Sequence, residues 1–210
     1  MPNTNQQVWK LLRSDLAIQK DLARGVVNMR AVAKYLIQQY GLTASLDAVI
    51  SAIRRFESQE TFKKENEHML NLFKDASVST RSNIACITIE QTPAEFFAKI
   101  CATDSIPFKL VTGTNEVKLL VNETNVDQVT TIFNEKDIRS VQKGLSEISV
   151  ALSKKASSTK GVAARITSEI ALAQINIAEL LVCQPEFLIY VTEKDLVKAH
   201  ESVMKLVRGD

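Results

Sequence analysis

The chain has 210 residues, 45% hydrophobic and 24% charged, with a formal net charge of +2 and three cysteines. That length holds one large domain or two to three small ones, and the apolar fraction is ordinary for a globular protein. No run of about 18 apolar residues occurs and the stretch Pro2 to Gln7 is polar. A membrane span and a signal peptide are therefore not expected, and a cytoplasmic location is.

The functional chemistry that composition disfavours is equally plain. Only His68 and His200 are present, without a His/Cys cluster, so no transition-metal site is expected. Cys86, Cys101 and Cys183 lie in apolar runs without Cys-x-x-Cys spacing and read as buried free thiols. No phosphate-binding glycine loop and no nucleophile elbow occurs. The expectation is a protein without cofactor and without enzymatic activity.

Charge is unevenly spread. Residues 1–56 carry eight Lys/Arg against Asp15, Asp21 and Asp47, a balance of +5, which leaves −3 for the remainder. A basic N-terminal unit permits an acidic partner such as nucleic acid.

Periodicity from Val8 to Phe56 is helical. Val8, Leu11, Leu12 and Leu16 recur at three- and four-residue spacing, and a break follows at Gly25. Met29, Val32, Ala33, Leu36, Ile37 and Tyr40 form one helix face that Gly41 closes. Ser45 offers an N-cap oxygen to a helix whose stripe is Leu46, Val49, Ile50, Ile53 and Phe56. Trp9 and Tyr35 read as core anchors. Two helices joined by a short Gly-containing turn outline a helix-turn-helix, which would place Ser51, Arg54 and Arg55 near DNA. A plain helical bundle with solvated arginines at a helix C-terminus satisfies the same pattern. Residues 57–75 read as a connecting helix that docks by its end, which sets the first domain at 1–75.

Beyond Val78 the pattern alternates between periods of two and about 3.6. Asn83 to Ile89 reads as a strand, and Thr92-Pro93 starts a helix carrying Phe96, Phe97 and Ile100. Phe108 to Val111 and Val117 to Val121 are strands around the turn Gly113-Thr114-Asn115. Asn125 caps a helix with Val126, Val129, Ile132 and Phe133, and Ile138 to Val141 begins another strand. The order βαββαβ is the split unit of a ferredoxin-like fold. It then starts again with strand Leu145 to Leu152, helix Gly161 to Ala173, strands Ile175 to Val182 and Phe187 to Val191, and helix Asp195 to Val207. The second unit lacks a closing strand, and the alternating segment 77–81 (SVSTR) is expected to supply it.

Gly161-Val162-Ala163-Ala164-Arg165-Ile166, then Ile175-Asn176-Ile177, then Glu186 and Ile189, resemble the ACT modules of aspartokinases. Those modules typically read P-G-V-A-A-R-I-F, N-I-N-I and S-E-I-S-I in that order. The resemblance covers roughly 77–207. This chain departs from it with Lys160 in place of proline and Leu181, Val182 and Cys183 where Ser, Gln and Gly are common. Added to the helix-turn-helix-like, all-α reading of 1–75, the resemblance implies an α+β chain that continues with two ferredoxin-like ACT-type units at 76–143 and 144–210. It also implies a regulatory protein, dimerisation through the ACT-like units, and an amino-acid effector.

In such modules the ligand sits between a strand-to-helix loop of one unit and a strand of its partner. The positions are Ser157, Ser158, Thr159, Lys160, Gly161 and Val162 on the loop, with Asn176 and Ile177 on the facing strand. Physically, a helix N-terminus favours a carboxylate, Gly161 allows close approach, and Asn176 can bond an ammonium or amide. The same residues also read as a plain surface loop and packing positions. Two functions fit: a transcriptional regulator that senses an amino acid and binds DNA, or a protein–protein regulatory subunit with structural ACT units.

Overall fold

The computed structural model describes residues 3–56, 67–90, 93–100 and 106–209. The connecting helix expected over 57–66, the Thr92 cap and Cys101 lie outside the described residues. Two compact units result, Met1–Met69 and Leu70–Asp210.

The first unit is helical, and each helix starts on a side-chain cap. Asn3 opens α1 (Thr4–Ser14) with a capping box completed by Gln6. Asp15 caps α2 (Leu16–Arg24), which Gly25 ends at φ 70°. Asn28 accepts from the amides of Arg30 and Ala31 at the start of α3 (Met29–Tyr40), and Gly41 closes that helix at φ 62°. Ser45 caps α4 (Leu46–Arg54) through the Ala48 amide at 3.3 Å.

Both α1 and α3 pack on α4. The core joins Val8, Leu12, Leu22, Val32, Leu36, Val49, Ala52, Ile53 and Phe56, each large side chain contributing roughly 1.5–3 kcal/mol by burial. Trp9 anchors this core as expected, its indole N–H donating to the Ala52 carbonyl at 2.8 Å. Tyr35 does not. It is 45% exposed and meets Tyr40 edge-on, because positions 34, 35 and 38 fall on the side of α3 away from α4.

The second unit begins in the helical residues 67–74 (α5), where Leu72 and Phe73 are buried. The unit boundary thus falls inside a helix, ahead of the expected 75. Next come β1 (Ser77–Ile89), α6 (Pro93–Ile100), β2 (Phe108–Thr112), β3 (Val117–Asn122), α7 (Val126–Thr130) and β4 (Ile138–Ala151). Then follow α8 (Val162–Leu172), β5 (Glu179–Cys183), β6 (Glu186–Thr192) and α9 (Leu196–Arg208). All six strands join one antiparallel sheet in the order β2-β3-β1-β4-β6-β5.

Two strands expected at 138–141 and 145–152 are a single strand, β4, so the expected domain boundary at 143/144 lies within it. The reason is a pair of opposed bulges. Between Arg81↔Glu147 and Ile84↔Leu145, β1 carries the extra residue, with Asn83 at φ 59°. Between Ile84↔Leu145 and Cys86↔Gln142, β4 carries it, with Gly144 at φ 74°. Asn and Gly tolerate that left-handed backbone, and bulges bend and twist a ladder without ending it. The Gly144 amide donates instead to the Glu123 carboxylate at 2.6 Å.

On one side of the bulges, residues 84–89 pair with β3 and with 138–142. On the other, residues 77–81 pair with 147–151, whose other edge pairs with β6. Each side therefore has the same local order, a flanking strand, then a central strand, then a hairpin, and in the second the flanking strand 77–81 comes from the other half of the chain. One helical face is packed by α6 and α7 around Ala85, Ile87, Ile89, Leu119, Phe96 and Phe133.

The opposite, helix-free faces fold onto each other. In a flat sheet β3 and β5 would lie about 19 Å apart, four strand spacings. Yet Lys118 on β3 forms an ion pair with Glu179 on β5, and Leu120 shares a buried cluster with Leu188 and Tyr190 of β6. A Lys–Glu pair cannot bridge a flat sheet of that width, so the bulge line acts as a fold. It brings Ile84, Cys86, Leu120, Leu145, Leu188 and Tyr190 together in a second core.

Smaller departures have local causes. The segment 175–178 does not begin β5. Ile175 N–H reaches back to Ile170 C=O at 3.3 Å and Gln174 N–H to Ala171 C=O at 2.9 Å, with Gln174 at φ 57°, so it closes α8 instead. Asn125 gives α7 no side-chain cap. Asn122 takes the equivalent role one turn earlier, accepting from the Thr124 amide at 3.0 Å.

Candidate functional site

Ten residues connect β4 to α8, and they form a structured turn. Residues Lys154–Ser158 make a single 3-10 turn with Ala156 buried beneath it. Ser158 Oγ and Thr159 Oγ1 both donate to the Lys155 carbonyl, at 3.1 and 2.8 Å, which aims their hydrogens back into the turn. Ser157, Lys160 and Gly161 are exposed, and Val162 is buried and fixes the first turn of α8 in the core. Gly161 is the N-cap at φ 84°, and α8 has no side-chain cap. A helix N-terminus with that geometry presents backbone N–H groups and positive dipole to an anion.

Asn176 and Ile177 are elsewhere. They line an open groove of about 370 Å³ with Thr167, Ser168, Ala171 and Ile175, at the C-terminal end of α8. From Gly161 to Ala171 the helix rises about 15 Å. The expected ligand residues therefore separate into two clusters at opposite ends of one helix. The carbonyl-rich end suits an ammonium or amide donor, and the amide-rich end suits a carboxylate. One amino acid cannot touch both ends of the same α8.

A polar network that the sequence reading did not single out lies between the two half-sheets. Glu147, nearly buried, accepts from Lys109 Nζ and from the Tyr190 hydroxyl, while Lys118 pairs with Glu179. Burial first, and the Glu147 hydrogen bond second, push the Tyr190 hydroxyl above its ordinary pKa. Burial likewise raises the Cys86 thiol, with the Glu179 charge adding to it and Lys118 opposing it. Lys118 is raised by its hydrogen bond to Glu179. Period two in the strand could have flagged this network, since Leu145, Glu147 and Ser149 share a face. Cys183, expected buried, is exposed at the free edge of β5.

In the helical unit Ser51, Arg54 and Arg55 are all exposed, at i, i+3 and i+4 on the last turn of α4. Among the described residues no group of acidic, His or Cys side chains could hold a metal, and no helix is long and apolar enough to cross a membrane.

No protein-family model and no curated protein matches the sequence. Solved structures do match. The regulatory subunit of aspartate kinase from Thermus thermophilus, in its ligand-free form, aligns at TM-score 0.52 and 15% identity, over 61% of this chain and 95% of that one. A structure of aspartokinase alpha and beta subunits aligns at TM-score 0.53 and 20% identity, over 63% and 97%. The fold resembles that of aspartate kinase regulatory subunits. Aspartate kinase from Clostridium acetobutylicum aligns at TM-score 0.54 and 16% identity over 62% of this chain, which spans only 34% of that enzyme. A match over 61–63% of the chain is close to the share taken by Leu70–Asp210. At these identities the likeness is one of fold alone.

Proposed function

We propose that this protein is a non-enzymatic regulator whose two ACT-type units, 76–143 and 144–210, sense an amino acid, with residues 77–81 serving as the closing strand of the second unit. The observation that carries this reading is the open N-terminus of α8 behind Gly161, on a fold similar to regulatory subunits. The effector carboxylate would sit on the amides following Gly161, flanked by Ser157, Ser158, Thr159 and Lys160. Asn176 and Ile177 of a second copy would hold its ammonium end, because the two clusters are too far apart within one chain. A homodimer is thus part of the site. The free edge of β5, with Leu180 37% and Val182 47% exposed, is the surface on which copies would pair.

The basic helical unit would carry the response to DNA as a transcriptional regulator, with dimer symmetry supplying two half-sites. Effector binding changes output only if the two arrangements of the dimer differ in affinity for the amino acid. A second reading, a protein–protein regulatory subunit without small-molecule ligand, is favoured by the apolar Leu180–Val182 edge. A thermal-shift screen over the common amino acids separates them. Stabilisation by one amino acid should grow with the logarithm of its concentration and vanish in Asn176→Ala, whose exposed position leaves the unliganded melting temperature unchanged. A flat response to every amino acid would leave the protein–protein reading standing and remove the sensor.

A further inference from the structure

The helical unit offers two candidate faces to a nucleic acid, and they differ in chemistry. α4 is packed from both sides by α1 and α3. What it leaves exposed is Asp47 in its first turn and Ser51, Arg54 and Arg55 at its end. A carboxylate at the leading end of a reading helix repels phosphate and has only the amino groups of cytosine and adenine to accept from.

α3 is the contrary case. Its twelve residues contain no Asp or Glu. Its outer side carries Arg30, Lys34 and Gln38 in one i, i+4, i+8 row, with Ala31 and Tyr35 beside them, all exposed. The row extends about 12 Å, a few base-pair steps. Neither Arg30 nor Lys34 makes an ion pair among the described residues. Arginine and lysine suit guanine and phosphate, and glutamine suits adenine. Tyr35 and Tyr40, both 45% exposed and edge-on at 6.3 Å, add apolar surface with hydroxyl donors beside that row. α3 also follows α2 through a four-residue connection, Gly25 to Asn28, that opens on a left-handed glycine, the layout of a helix-turn-helix.

We infer that α3, preceded by α2, is the helix that enters the major groove of duplex DNA, with Arg30, Lys34 and Gln38 turned to base edges and phosphates. Arg54 and Arg55 of α4 then stand outside the groove. This inference rests on the DNA reading proposed above and replaces its contact residues.

The test uses the full chain and a random-sequence duplex, followed by fluorescence anisotropy at low and at physiological salt. Arg30→Ala with Lys34→Ala should weaken binding by about ten-fold or more at low salt and reduce the salt slope by about 2. Arg54→Ala with Arg55→Ala should change affinity by less than about three-fold. Circular dichroism should be unaltered in both, since all four side chains are exposed. If the α4 pair abolishes binding and the α3 pair does not, the inference is wrong while DNA binding stands. If the wild-type chain binds no duplex at low salt, or binds single strands in preference, the groove-entering role falls, and in the first case the DNA reading falls with it.

Discussion

Three residues separate β1 from α6 in the first half of the folded sheet, whereas ten separate β4 from α8 in the second. Glu90, where the short connection begins, is tied down. The Glu90 amide donates to the Asp137 carbonyl at 2.7 Å, Asp137 pairs with Lys99 at 3.3 Å, and Lys99 lies 5.7 Å over the Phe133 ring. α6 opens on Pro93, which has no N–H, with the Glu90 carboxylate nearby in sequence. The long connection ends on Gly161 and an α8 start without a side-chain cap. One strand–helix plan thus serves two ends. The first start has proline in place of one N–H donor, and the second opens on a glycine that an anion can approach.

The joint between the halves is the place to break this comparison. Glu147→Ala should cost about 3 kcal/mol in chemical denaturation, because it strands Lys109 and the Tyr190 hydroxyl between the sheets. Lys118→Ala, at the more exposed pair, should cost only about 0.5–1 kcal/mol. If the two costs are equal, the halves are not held by the buried pair. Gly144→Ala sharpens the role of the bulge. Nothing lies within 4 Å of the added methyl, so the expected loss of about 1 kcal/mol is backbone strain at φ 74° alone.

A smaller effect should appear with pH. Cys86 and Tyr190 both have raised native pKa values, so the folded chain holds protons that the unfolded chain releases first. Their stabilisation is complete below the unfolded values and is lost as pH rises, from about 8.5 for the thiol and about 10 for the phenol. Lys118, also raised, acts in the same direction at the alkaline end. Urea midpoints should therefore fall above pH ~8.5, and Cys86→Ala should remove the first part of that decline. A midpoint constant to pH ~10 would show that the inner face is hydrated.

Much of this architecture is legible in the chain because its signals are local. Gly25, Gly41 and Ser45 cap helices where backbone geometry demands them, and Gly113 turns β2 into β3 with its amide on Glu116 C=O at 2.7 Å. The fold of the sheet is not legible, since Lys118 and Glu179 are 61 positions apart and nothing in either strand names its partner. The strands expected at 138–141 and 145–152 are one strand because the glycine between them, Gly144, forms a bulge, and glycine punctuates bulges and loop ends alike. The loop 157–162 is readable from the order strand, glycine, helix. That Asn176 precedes β5 and is not part of it is not legible, since Gln174 closes the helix through a left-handed backbone that glutamine seldom adopts.

The central claim is that the effector site is split between two copies, with the Gly161 loop from one and Asn176 from the other. The decisive measurement is a mixing experiment read by amino-acid-dependent thermal shift. Gly161→Val and Asn176→Ala should each abolish the ligand shift alone, and mixed dimers of the two should recover it, because one of their two sites is intact. A mixture that stays silent while wild type responds, or either variant responding fully alone, would contradict the account.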